Sequence, residues 1–202
     1  MYNLTKRLFD IIFGLIGIIA MIPLSLIIKL LFICTGDNGN LMYRQRRIGK
    51  DGKIIRIYKY RTMVENADEQ LEELLKDAQL KAEWEETQKL ENDPRITKIG
   101  KWLRITSLDE LPQCINVLLG DMSLVGPRPL IEGELEQHGG TRLYWEVKPG
   151  ITGWWATHGR SDTDYQERLE LEYYYIKNQS LKLDFICILK TIGVVLKEKG
   201  AK

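Results

Sequence analysis

The stretch TSLDELPQCINVLLGDMSLVGPRP, Thr106–Pro129, sets two adjacent carboxylates, Asp109 and Glu110, just ahead of a short apolar run. Pro112 follows at once. Proline fits only the first turn of a helix, so a helix should start at or near Asp109. Ser107 and Glu110 also read as an S-x-x-E capping box, which starts the helix slightly earlier. Either way the acidic pair lies at a helix N-terminus, where unpaired N–H groups and the dipole favour negative charge. A carboxylate kept ionised there is a competent nucleophile, and a phosphate is welcome beside it. Gly120 has the place of the residue that ends the helix. Gly126-Pro127-Arg128-Pro129 then presents one arginine on a stiff turn, suited to bidentate phosphate binding. The same residues also have a plain structural explanation: Asp109 as N-cap, Glu110 as a first-turn acid, Arg128 in a surface ion pair.

The chain has 202 residues, enough for one domain or one domain with an anchor. Its 29 Lys+Arg against 28 Asp+Glu leave a formal charge of +1, so bulk charge does not point to nucleic acid, and no nucleic-acid partner is expected. The distribution is less even. Residues 44–61 carry Arg44, Arg46, Arg47, Lys50, Lys53, Arg56, Lys59 and Arg61 against Asp51 alone, whereas residues 65–91 are strongly acidic. Cys34, Cys114 and Cys187 are far apart and odd in number, which suits a reducing cytosol rather than a disulfide framework or a metal site.

Ile11–Cys34 is an apolar run of 24 residues with Lys29 its only charge. As a helix it would reach about 36 Å, enough to cross a bilayer. Two features oppose a simple span. Pro23 interrupts the run, and both flanks are basic where the positive-inside rule wants one. A hairpin that dips into one leaflet and returns satisfies both facts, making residues 1–40 a re-entrant membrane anchor and residues 41–202 the catalytic domain. Asp51-Gly52 between Ile-rich runs signals a β-hairpin. Lys59 and Arg61 share one face of its second strand, either at a phosphate or against anionic lipid. Glu65–Glu91 has the periodicity of one long helix. Asp93-Pro94 is set to begin the next, with Ile96, Ile99 and Leu103 as its apolar stripe and Arg104 just before Asp109. Trp154 and Trp155 suit a nucleotide base, a membrane interface or a core. His158, without partners at metal spacing, reads as a hydrogen-bonded loop residue. A helix over Asp164–Lys177 ends at Asn178, and Ser180 caps a last helix. The stripe Leu181, Phe185, Ile188, Leu189, Ile192, Val195, Leu196 fits a core or a membrane surface. The expected fold class is α+β and mostly helical: a re-entrant N-terminal membrane helix hairpin, a small antiparallel sheet and amphipathic surface helices.

Taken together the sequence resembles the bacterial sugar transferases, the monotopic phosphoglycosyl transferases of surface-glycan assembly. The resemblance rests on Lys6-Arg7-x-x-Asp10, Ile57-Tyr58-Lys59-x-Arg61-Thr62-Met63, Asp93-Pro94-Arg95-Ile96-Thr97, Ser107-Leu108-Asp109-Glu110-Leu111, Gly120-Asp121-Met122-Ser123 through Pro129, Lys148-Pro149-Gly150-Ile151-Thr152-Gly153 and Gly159-Arg160. It implies transfer of a sugar-1-phosphate from a UDP-sugar to polyprenyl (undecaprenyl) phosphate with release of UMP and use of Mg²⁺. Asp109 would be the nucleophile and form an aspartyl-phosphosugar. Glu110 would help hold Mg²⁺ with Asp109 or activate the lipid phosphate. Arg128 and Arg160 would hold phosphate and nucleotide, with Lys59, Arg61 and Arg104 in support. The resemblance also implies anionic membrane lipid as a partner and the cytoplasmic face of the bacterial inner membrane as the location; a homo-oligomer is compatible with it. Ile22 stands where the family usually has Ser before Pro23, and Ala156 where many members have Gln. Two other activities compete: a lipid glycosyltransferase that releases UDP, and an inactive membrane scaffold of a glycan pathway.

Overall fold

The computed structural model describes residues 2–87, 90–159 and 163–196. Its longest element is α1, Tyr2–Cys34, a single helix that continues through Pro23. At 33 residues it is about 50 Å long. Two arms joined by a turn are therefore not what the structure shows. Proline removes one helical bond, to the carbonyl four residues back, and leaves the rest of the helix free to continue. One stripe of α1 packs against the rest of the chain: Asp10, Gly14, Met21, Ile28 and Phe32 are buried. Leu8, Ile12, Ile16, Ile19, Leu26 and Leu30 stay exposed on the other faces. The glycines let the backbones approach, since a Cβ on Gly17 would stand 2.3 Å from Cys114 Sγ.

Both ends of α1 are tied down. Near the start, Lys6 Nζ donates to Asp184 at 2.9 Å, and buried Asp10 accepts from the Ser123 hydroxyl and the Leu124 N–H, both at 2.9 Å. Near the end, Lys29 Nζ donates to Gly39 O at 3.1 Å, and the Arg61 guanidinium lies 4.8 Å from the Phe32 ring centre. Midway, the Tyr60 and Ser25 hydroxyls meet at 2.7 Å, one turn before which lies Met21.

The expected hairpin is present. Strands β1, Met42–Ile48, and β2, Ile54–Tyr60, pair antiparallel from Met42↔Tyr60 to Ile48↔Ile54. Asp51 and Gly52 turn the chain with φ of 59° and 72°. The acidic segment differs from expectation, for it forms two helices, α2 (Ala67–Leu74) and α3 (Ala78–Thr87). The break comes from Asp77, whose carboxylate caps α3 by accepting from Gln79 N at 2.8 Å and Leu80 N at 3.1 Å. The next helix, α4, also starts later than Asp93-Pro94 suggests. It spans Lys98–Ile105 and is capped by Thr97, which accepts from Gly100 N. Asp93 is occupied instead with Arg95, through contacts at 2.7 and 2.8 Å.

After α5, Gln113–Leu119, a second sheet appears that sequence periodicity did not reveal. It pairs β3, Ser123–Val125, in parallel with β4, Gly150–Thr152, beyond the short α6, Glu134–Gln137. Strands of three residues are too short to show alternation. Gly126 and Gly150 permit the pairing; a Cβ on Gly126 would lie 2.4 Å from Lys148 O. The chain closes with α7 (Trp154–His158), α8 (Tyr165–Lys177) and α9 (Leu181–Leu196). Asp164 and Glu167 form a reciprocal capping box on α8, and Ser180 Oγ accepts from Leu183 N as expected. On α9, Leu183 and Cys187 face the core, while Leu181, Phe185, Leu189 and Ile192 point outward. The amphipathic surface helix is thus real, with Leu181, Phe185, Leu189 and Ile192 of its stripe exposed and Ile188 packed against the core.

Candidate active site

The acidic pair sits on a tighter turn than a helix start. Leu108–Glu110 is one turn of 3-10 helix, and α5 begins only at Gln113 with Pro112 as N-cap. Ser107 takes a left-handed conformation, φ 56°, and its side chain makes no capping bond, so the capping box does not form. A non-glycine residue held at positive φ two residues before an acidic pair is the kind of strain that collects at functional sites. Gly120, φ 89°, ends α5 as expected, its N–H donating to Asn116 O and Val117 O.

Asp109 is buried, at 9% exposure. Burial, then the neighbouring Glu110 charge, pushes its carboxyl up to about 6, while Lys59 and Arg104 oppose the rise. The helix-terminus expectation had the opposite sign. Glu110 is more open, and its Oε1 accepts from Lys59 Nζ at 2.8 Å. Arg104 donates through Nε to the Thr62 hydroxyl at 3.0 Å; burial lowers its pKa and Asp109 opposes that. Lys59 is held in place through its strand. Fully buried Asn116, on α5, accepts from Tyr58 N at 3.0 Å and donates to Arg56 O at 2.8 Å, closing the open edge of β2 beside Lys59.

Arg61 goes elsewhere. Strand β2 ends at Tyr60, and Arg61 donates to Asp37 at 2.7 Å, Asn40 O at 2.7 Å and Met63 O at 2.9 Å. It binds the exit of α1 to the hairpin, so Lys59 and Arg61 do not converge. Arg160 lies outside the described residues. Arg128 is exposed but its backbone is clamped. Its N–H donates to Glu172 Oε1 at 2.9 Å, and its carbonyl accepts from the Tyr144 hydroxyl at 3.0 Å. Burial pushes the Glu172 carboxyl up to about 7. The Arg128 guanidinium lies 5.7 Å from the Trp155 ring centre and, among the described residues, makes no hydrogen bond or ion pair. Trp155 also carries Arg168, at 4.8 Å. His158 bonds to Trp154 O and Lys190, within a helix rather than a loop. Sequence reasoning missed Asn116, Glu172 and Arg168, because a polar residue inside a helical period looks like a solvent-facing one until the fold buries it, and it read Arg47 only as one of a basic run.

Among the described residues no three metal-ligating side chains cluster. Asp109 and Glu110 alone can still fit a magnesium ion, which is commonly held by one or two carboxylates with substrate phosphates and water completing its shell.

A family model for bacterial sugar transferases matches residues 1–198. The chain belongs to the bacterial sugar transferase family. It is 49% identical over 198 residues to the UDP-galactose-lipid carrier transferase of Erwinia amylovora, covering 97% of this chain and 41% of that protein. The undecaprenyl-phosphate galactose phosphotransferase of Salmonella typhimurium is 47% identical over 198 residues, again 97% of this chain and 41% of that protein. The exopolysaccharide production protein ExoY of Rhizobium meliloti is 40% identical over 201 residues, covering 98% of this chain and 88% of its own. The chain thus spans about two fifths of the length of the first two relatives.

Proposed function

We propose that this sugar transferase moves a sugar-1-phosphate from a UDP-sugar to polyprenyl phosphate and releases UMP. The observation that carries the reading is Asp109: a desolvated carboxylate, raised to about 6, with Lys59, Arg104 and Glu110 around it. At cytosolic pH it is largely ionised yet poorly hydrated, which is what a carboxylate nucleophile needs. An Asp109 oxygen attacks the β-phosphorus of the UDP-sugar. The bond from that phosphorus to the bridging oxygen breaks, and UMP leaves with the electron pair. An oxygen of polyprenyl phosphate then attacks the same phosphorus and returns the Asp109 carboxylate. Lys59 positions Glu110 and adds positive charge near the sugar phosphate, and Arg104 steadies the charge on Asp109. Arg128 and Arg160 hold phosphate. Bound Mg²⁺, held by Asp109 and Glu110, would neutralise phosphate charge.

The membrane part of the proposal is that α1 enters one leaflet of the inner membrane with both ends on the cytoplasmic face. The contacts of Lys6 with Asp184 and of Phe32 with Arg61, one near each end of α1 and both to the same domain, support it, as do the exposed apolar faces of α1 and α9. Catalysis is tested without lipid. With a UDP-sugar and Mg²⁺ the protein should release UMP and gain one sugar phosphate on the Asp109 peptide. Release of UDP instead, with no label, refutes it.

A further inference from the structure

Three guanidinium groups gather around Trp155 and Glu134. Arg168, 9% exposed, lies 4.8 Å from the centres of both the Trp155 and Tyr165 rings, with Nη1 3.3 Å from Glu134 Oε1. Arg47 reaches over from β1, its Nη1 4.0 Å from Glu134 Oε2 and its side chain 12% exposed. Arg128 lies over the same Trp155 ring. Among the described residues, the carboxylates facing them are Glu134 and Glu172. Glu134 also accepts from Ile131 N at 2.9 Å and Tyr165 Oη at 3.3 Å. Glu172 gives one oxygen to Arg128 N, leaves the other without a hydrogen bond, and is held toward its neutral form by burial. Among the described residues, negative charge in the cluster therefore falls short of the positive. Arg47 Nε and Arg168 Nε and Nη2 are buried with no hydrogen-bond partner among the described residues. Guanidinium groups do not shed their protons to escape burial, and unsatisfied buried donors are rare enough to require a partner. A compact anion with several acceptor oxygens supplies one.

We infer that Arg47 and Arg168 act with Arg128 as a binding site for the phosphate of the nucleotide that leaves. This rests on the proposed phosphoglycosyl transfer. Arg47 feels the charge of Glu110 as well as those of Arg128 and Arg168, which puts the cluster on the Glu110 side of the site. A diphosphate bridging the two would present its sugar-bearing phosphorus to Asp109 and its nucleoside-bearing phosphate to the arginines. Negative charge grows on that second phosphate as the bridging bond breaks, and fixed guanidinium groups there favour its departure. Arg47 comes from the hairpin and Arg168 from α8, so the site requires the two halves of the domain to be packed together.

The test is UMP binding by calorimetry on the intact protein in EDTA, which removes any metal contribution from Asp109 and Glu110, with uridine as the probe lacking phosphate. Wild-type protein should bind UMP at least tenfold more tightly than uridine. Arg47→Gln should lose that tenfold advantage with uridine affinity unchanged, and Arg47→Lys should recover part of it. Full UMP affinity in a folded Arg47→Gln protein overturns the inference, as does equal affinity of the wild type for UMP and uridine. Should Arg47→Gln not fold, full UMP affinity in Arg47→Lys overturns it on the loss of the guanidinium fork. The reading beneath it fails separately, if wild-type protein with Mg²⁺ releases no UMP from any UDP-sugar.

Discussion

Asp109→Asn should abolish chemistry and stabilise the fold, and the size of the second effect follows from the burial of the carboxylate. The Asp109 carboxyl titrates at about 6 instead of the ordinary 3.8. That difference corresponds to roughly 3 kcal/mol against the ionised form at pH values above both. For an acid whose folded pKa is raised, the folded state binds its proton more tightly than the unfolded chain. Stability is then full below about 4, falls as pH rises to about 6, and stays reduced above. Asparagine keeps the shape and one acceptor oxygen but cannot ionise. The variant should therefore be more stable than wild type at pH 7.5 by up to about 3 kcal/mol, or roughly 6–12 °C in Tm for a chain of this size. The gain should shrink toward zero near pH 4. Other groups shift too: Arg61 holds Asp37 low, Arg95 holds Asp93 low, and burial raises Glu172. The difference between variant and wild-type curves removes their contributions. The assay is thermal denaturation from pH 4 to 8 in detergent with EDTA, beside the covalent labelling test. A variant that is less stable at pH 7.5, or a difference independent of pH, refutes the burial argument. A variant that still takes up sugar phosphate refutes the nucleophile.

Three further outcomes are expected. Arg128→Lys keeps charge but loses the planar fork, so turnover should fall at least tenfold while Tm changes by less than about 2 °C; near-normal turnover would make Arg128 structural. Gly100→Ala should destabilise by roughly 3 kcal/mol or more, measured by denaturant unfolding, because its Cβ would meet the Thr62 carbonyl oxygen at 1.9 Å, a backbone atom with no rotamer to escape into. With exposed Cys34 replaced by Ser, single cysteines introduced as Asn3→Cys and Gln45→Cys should both label from the cytoplasmic side; labelling from opposite sides would rule out the proposed placement of both ends of α1 on one face.

Local chemistry made part of this protein legible in its sequence. The Asp51-Gly52 turn, the Asn178 stop, the Ser180 cap and the Gly120 stop are each decided within a few residues, and each stands where expected. The signals that failed locally were overruled by longer contacts. Ser107 is driven into the left-handed region, Asp93 serves Arg95, and Asp77 splits the acidic helix. The motif around Asp109 marked the centre of the site, but not its electrostatics, because burial has no period in the chain. Lys59 and Arg61 shared a predicted strand face, yet the strand ends between them and Asp37 draws Arg61 away. The sequence alone determined the apolar run of α1 and its basic flanks. Only the tertiary structure tied both of its ends to one domain, and only packing could set Asn116 against β2, Glu172 beneath Arg128, and Arg47 beside Arg168, since hydrogen bonds and charge pairs between residues this far apart in sequence leave no pattern in the order of the chain.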